Sequence, residues 1–143
     1  MIALTIGFTG TQNGMNRFQL EDLENYLRKA YDWALRNNRR AIFRHGDCIG
    51  ADKQAAETAR FIGYYVIAHP SNLRSKRAYY PFNNETLEEK FPLDRNKDIV
   101  ALSDHIVATP KEEITDPEPL RSGTWMTIRY ARSCNKNLLI LYA

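Results

Sequence analysis

Apolar positions along the chain alternate between short continuous runs and a helical period. Ile2, Ala3, Leu4, Ile6 and Phe8 crowd into a run closed by Thr9-Gly10-Thr11, the pattern of a strand buried on both faces and followed by a tight turn. Leu20, Leu23, Leu27, Ala30 and Ala34 then recur every three or four residues, with Glu21, Asp22, Glu24, Arg28 and Lys29 on other faces, which predicts an amphipathic helix. Asn16 followed by Gln19 has the form of a capping box and sets the helix start, and the helix should end near Asn37 and Asn38. The unit then repeats. Residues 41–45 read as a second strand, and a helix follows to about Ile62, closed by Gly63, with Ala51, Ala55, Ala56 and Ala59 forming a small-residue face. Residues 64–68 form a third strand.

A long segment, residues 69–92, carries Pro70, Pro81 and Pro92 and should be a functional lid or partly structured, with residues 87–90 supplying one helical turn. Beyond it, residues 94–102 predict a helix, residues 105–108 a fourth strand and residues 110–121 a polar loop. Ser122 is a plausible N-cap for a helix through about Ser133 whose inner face holds Trp125, Ile128 and Ala131, and residues 138–142 close the chain as a fifth strand. Buried-looking strands alternating with helices predict an α/β fold, a doubly wound parallel sheet of about five strands in the order 3-2-1-4-5, in a single domain over residues 1–143.

Composition narrows the function. With 43% apolar and 26% charged residues in 143, one folded domain is expected, and the formal charge of +3 is too small to argue for a nucleic-acid coat or a membrane-surface protein. A phosphate partner must therefore be met locally. Cys48 and Cys134 make neither a disulfide framework nor a closely spaced zinc site, so a reducing cytoplasm fits. No run approaches the roughly 18 apolar residues of a membrane span, and the N-terminal residues lack the pattern of a signal peptide.

In a doubly wound sheet ligands bind beyond the carboxyl ends of the strands, where strand order reverses, here between the first and fourth strands. The first loop there offers Thr9, Gly10 and Thr11 before a helix N-terminus, an arrangement that suits either phosphate on backbone N–H groups or a plain turn. Its spacing is neither GxGxxG nor a Walker sequence, so NAD and ATP hydrolysis are not implied and no cofactor is expected. The second loop, His45-Gly46-Asp47-Cys48-Ile49-Gly50-Ala51-Asp52, concentrates an imidazole, two carboxylates and a thiol around two glycines. Asp47 is the better candidate for a ligand hydroxyl or a base, while Asp52 contacts ligand or caps its helix and His45 contacts ligand or satisfies backbone. Cys48 as a nucleophile has no assignable base, and the spacing of His45, Asp47 and His69 fixes no coordination shell, so no metal is assigned.

The last loop, Ser122-Gly123-Thr124, repeats the small-hydroxyl arrangement before a helix, either as a cap or as a second phosphate donor set. Arg95 adds a charged clamp or pairs with surface carboxylates. Arg74, Lys76 and Arg77 beside Tyr79, Tyr80 and Phe82 could hold phosphate and stack a base, in a free nucleotide or in single-stranded nucleic acid. Glu112, Glu113, Asp116 and Glu118 oppose a continuous polyanion track and favour a small ligand.

Taken in order, Gly7-Phe8-Thr9-Gly10-Thr11, the HGDCxGAD stretch from His45 to Asp52, His69-Pro70, Arg95-Asn96, Ser103-Asp104 and Ser122-Gly123-Thr124 resemble the SLOG superfamily of Rossmann-like nucleotide-binding proteins over nearly the whole chain. That resemblance implies a nucleotide or nucleotide-derived ligand at the carboxyl ends of the strands, in a sensor or sequestering domain. Known branches include LONELY GUY-type phosphoribohydrolases, the DNA-processing protein A fold and nucleotide-signal sensors. The phosphoribohydrolases carry an arginine, matched here by Arg95, and a PGGxGTxxE motif, of which Gly123 and Thr124 match the GT. The glutamate position is Thr127 and the Pro-Gly-Gly is absent, which leaves that hydrolysis without its carboxylate unless Asp47 or Glu57 reaches the sugar. Arg95 and Asp47 are thus the catalytic candidates of the alternative, a nucleotide N-glycosidase, and single-stranded nucleic-acid binding ranks third. Apolar helix faces are compatible with a homodimer.

Overall fold

The computed structural model describes residues 2–143 as one parallel sheet with helices on both faces. In chain order the elements are β1 (Ala3–Gly10), α1 (Arg17–Arg36), β2 (Arg40–His45), α2 (Ala51–Ile62), β3 (Tyr65–Ala68), β4 (Glu85–Thr86), α3 (Pro92–Ala101), β5 (His105–Thr109), α4 (Gly123–Ser133) and β6 (Asn137–Ile140). The strand order is β4-β3-β2-β1-β5-β6, and every pairing is parallel. The expected five-strand order is therefore present as β3-β2-β1-β5-β6, with a sixth strand at one edge. That strand lies inside the long segment and pairs Glu85 and Thr86 with Ile67 and Ala68 of β3. The helical turn expected at residues 87–90 does not form; a short 3-10 turn occurs instead at Arg74–Lys76.

Alternating side chains of β1 divide the core. Leu4, Ile6 and Phe8 join Leu23 and Leu27 of α1, Phe43 of β2 and the alanine face of α2 in the larger cluster. The alanines are fully buried, as a helix lying close to a sheet requires. On the other face, Val100, Ile106 and Ala131 make one small cluster and Ala108, Trp125 and Ile128 another, under α3 and α4. Among the described residues no helix is long and apolar enough to cross a membrane.

The capping box at the start of α1 is complete: Asn16 Oδ1 accepts the Gln19 N–H at 2.9 Å, and Gln19 Oε1 accepts the Asn16 N–H at 3.0 Å. Gln19 does more than cap. Its Nε2 donates to the carbonyls of Pro110 at 2.7 Å and Leu141 at 2.8 Å, so one buried amide joins the start of α1 to the loop after β5 and to the end of β6. Gln19→Glu keeps the capping acceptor but turns an acceptor toward two buried carbonyls. Urea denaturation should show a loss of about 2–4 kcal/mol for Gln19→Glu, against less than about 0.5 kcal/mol if only the cap mattered.

Candidate functional site

All strands are parallel, so their carboxyl ends share one edge of the sheet. Consecutive connections leave β1 toward β2 and β5 toward β6, which opens a crevice between β1 and β5. A cavity of about 370 Å³ sits there. Thr9, Gly10 and Thr11 from the end of β1 and Ser122, Gly123 and Thr124 from the start of α4 line it, joined by Gly46, Asp52 and Arg95. Nine of the eleven expected ligand-binding residues thus meet in one place. His45 and Asp47 do not line it, and neither does Glu57.

Lys111 and Arg121, from the two ends of the loop between β5 and α4, also line the cavity. Sequence reasoning weighed that loop by its acids and missed them; the rule that points to strand ends would have found Lys111, two residues beyond β5. Two acids share the wall, Asp52 and Glu112. At the start of α4 the Ser122 hydroxyl oxygen accepts the Trp125 N–H at 3.3 Å, so Ser122 is the expected N-cap. Among the described residues the N–H groups of Gly123 and Thr124 donate to nothing. They are left at the positive end of the helix dipole, facing a cavity with three cationic side chains in its wall. Thr127, at the glutamate position of the phosphoribohydrolases, is 2% exposed and donates its hydroxyl to the Gly123 carbonyl at 2.9 Å.

Behind this surface lies a buried polar layer. Arg95 on α3 donates to the carbonyls of Gly46 and His69, to Cys48 Sγ at 3.7 Å and to Asn96 Oδ1 at 2.7 Å. The clamp is internal: one guanidinium holds the ends of β2 and β3 against α3. The approach is close: a Cβ at Gly46 would stand 2.6 Å from Arg95 Nη1, so a larger residue there would have to displace the guanidinium. Asp52 Oδ2 accepts the N–H groups of Gly46 at 3.0 Å and Cys48 at 3.2 Å. Burial raises its pKa above the ordinary carboxylate value, against the opposing pull of His45 and Arg95. Burial also pushes the Cys48 thiol up to about 12, with Asp52 adding to the shift and Arg95 opposing it. Cys48 is therefore a neutral thiol, unsuited to nucleophilic attack.

Asp47 and His45 serve the long segment instead. Asp47 Oδ2 accepts from Arg77 Nε at 3.2 Å and Nη2 at 3.1 Å, and its Oδ1 accepts the Tyr80 N–H at 3.1 Å. His45 Nε2 pairs with Asn83 Oδ1 at 2.7 Å, while its Nδ1 accepts the Asp47 N–H at 3.0 Å. With β4 and the Asn84 contacts to Val66, these bonds pin residues 69–92 along the sheet edge. None of those residues lines the cavity, so the segment is a fixed strap rather than a lid over the site. Two of its basic residues are engaged as well: Arg74 and Arg77 both pair with Glu89. That pairing removes two of the cations on which single-stranded nucleic-acid binding would draw.

His69 at the end of β3 is 3% exposed, and its Nε2 lies 2.9 Å from Arg44 Nη1. A guanidinium can only donate, so Nε2 must be the unprotonated acceptor. Burial first, and the Arg44 charge second, lower the His69 pKa to about 4. The unfolded chain then binds a proton that the folded chain rejects, so this contribution to stability is intact above about pH 6.5 and is lost as pH falls toward 4. Between pH 7 and pH 4, His69→Gln should lose about 3 kcal/mol less stability than the unaltered protein in denaturant titrations. Equal losses would remove His69 from the acid response.

No family model and no curated protein sequence matches the chain. Solved structures do. The molybdenum cofactor binding protein of Rippkaea orientalis superposes with a TM-score of 0.70 at 17% identity, over 100% of this chain and 78% of that one. The Moco carrier protein of Chlamydomonas reinhardtii gives 0.66 at 17% identity, over 99% and 78%. DNA processing protein A of Streptococcus pneumoniae gives 0.66 at 15% identity, over 96% of this chain and 50% of that one. At these identities the likeness is one of fold: an α/β, Rossmann-like arrangement around an all-parallel sheet.

Proposed function

We propose that the protein captures a phosphorylated small molecule, a nucleotide or nucleotide-derived signal, at the carboxyl ends of β1 and β5 and does not cleave it. The observation that carries this reading is the pair of free N–H groups at Gly123 and Thr124, in one cavity with Lys111 and Arg121. A phosphate there gains backbone donors, the helix dipole and two exposed cations at once. The cavity of about 370 Å³ is of small-molecule size. Two structural neighbours are described as binding or carrying the molybdenum cofactor, which supports small-molecule capture by this fold. Thr127 supports capture over hydrolysis, since its hydroxyl is turned onto its own helix where a glutamate would be needed. Two free cysteines fit a reducing cytoplasm.

Gly123 gives a clean test, because a Cβ there meets nothing within 4 Å. Gly123→Asp places a carboxylate on the anion position and, as an acid in the first turn of α4, leaves stability unchanged or slightly raised. Incubation with nucleoside monophosphates, NAD-derived nucleotides and cyclic dinucleotides, followed by mass spectrometry of bound and free fractions, should recover an intact ligand on the protein. Gly123→Asp should weaken its binding at least about tenfold. Release of free base would favour the N-glycosidase, and unchanged binding by Gly123→Asp would remove the site.

A further inference from the structure

Glu112 is a carboxylate that anion capture leaves without a task. It lines the cavity with Ser122, Gly123 and Thr124, where its charge opposes the field of Lys111 and Arg121. It is nonetheless held firmly. Oε1 accepts the indole N–H of Trp125 at 2.9 Å, and Trp125 is 1% exposed in the first turn of α4. Among the described residues no lysine or arginine lies within ion-pairing distance of Glu112, and Oε2 accepts no hydrogen bond from the chain. A carboxylate fixed at one oxygen by a buried indole and open at the other is built to accept hydrogen bonds from a ligand.

The cavity wall narrows what that ligand group is. Phe8 is the single aromatic residue in the lining, and at 1% exposure it offers no face on which a base could stack. Hydroxyls, amides and charges form most of the rest, a surface suited to a polyol next to the phosphate. We propose that Glu112 is a specificity-determining residue that accepts hydrogen bonds from the vicinal hydroxyls of a ribose whose phosphate sits on Gly123 and Thr124. The ligand class is then a ribose phosphate rather than a deoxyribose phosphate. This assignment rests on the capture reading and gives Glu112 the contact to a ligand hydroxyl expected of Asp47.

Calorimetric titration with inorganic phosphate, ribose 5-phosphate and 2-deoxyribose 5-phosphate separates the two ideas. Binding of phosphate tests capture; the ribose preference tests Glu112. The unaltered protein should bind ribose 5-phosphate about tenfold more tightly than its 2-deoxy counterpart, the size of a hydrogen bond to a charged group. In Glu112→Gln the amide oxygen can still accept from Trp125, so folding should hold and phosphate affinity should hold or rise with the opposing charge removed, while the preference for ribose falls to within about twofold. Of the chain's two tryptophan indole signals in a ¹⁵N spectrum, the one from Trp125 should move with ribose 5-phosphate and stay with inorganic phosphate. A ribose preference that survives Glu112→Gln, an equal loss for all three probes, or no preference in the unaltered protein overturns the assignment while leaving capture standing. Failure of the unaltered protein to bind any probe overturns both.

Discussion

The side-chain amide of Gln19 is the constraint on which the site depends. Its carbonyl caps α1, and its NH₂ group bonds two backbone oxygens that lie 91 and 122 residues away in sequence. The loop after β1, the loop after β5 and the end of β6 are thereby brought to one point, and the first two of these are walls of the cavity. Arg95 performs the matching task on the other side, tying the ends of β2 and β3 to α3 through carbonyl oxygens. Neither residue is a surface ion pair of small value. Both are buried donors to backbone acceptors, where removal leaves unsatisfied carbonyls.

That framework explains why the cavity is cationic in a chain of small net charge. The positive groups are concentrated by the topology: Lys111 and Arg121 flank one loop, Arg95 backs the wall, and α4 points its free amides inward. In the neighbouring strap Arg77 is paired with Asp47 and Glu89, and Arg74 with Glu89. A field confined in this way suits a small anion better than an extended polyanion. On the proposed reading, Thr127 separates holding a glycosidic ligand from breaking it, because the helix would supply the phosphate site without an acid at that position.

The sequence carried the periodic part of the fold. Continuous apolar runs and the three-to-four spacing of leucines and alanines predicted the order β3-β2-β1-β5-β6, and Asn16 with Gln19 marked the start of α1. β4 was not legible, since two exposed polar residues held by pairing with β3 leave no pattern of their own. The same limit applied to the site. Glycines and hydroxyls at strand ends are local signals and came together as expected, whereas the partners of Asp47 and His45 lie 30 to 38 residues away and turned both side chains toward the strap. For Arg95 the sequence leaves a ligand clamp and a surface ion pair open, and its buried guanidinium is instead bonded to backbone carbonyls. Lys111, Arg121 and Glu112 were hidden because an irregular loop has no period to read, and its acids outnumber its bases.

The proposed function depends on anion capture by the start of α4. A ¹⁵N-detected NMR titration of the backbone amides with ribose 5-phosphate tests that most directly, because it reports on the N–H groups themselves. The largest shifts should fall on Gly123 and Thr124, with smaller ones along Thr9 to Asn13 and none along the strap at residues 74–90. Shifts centred on the strap or on the His69 region, with Gly123 and Thr124 unmoved, would contradict it.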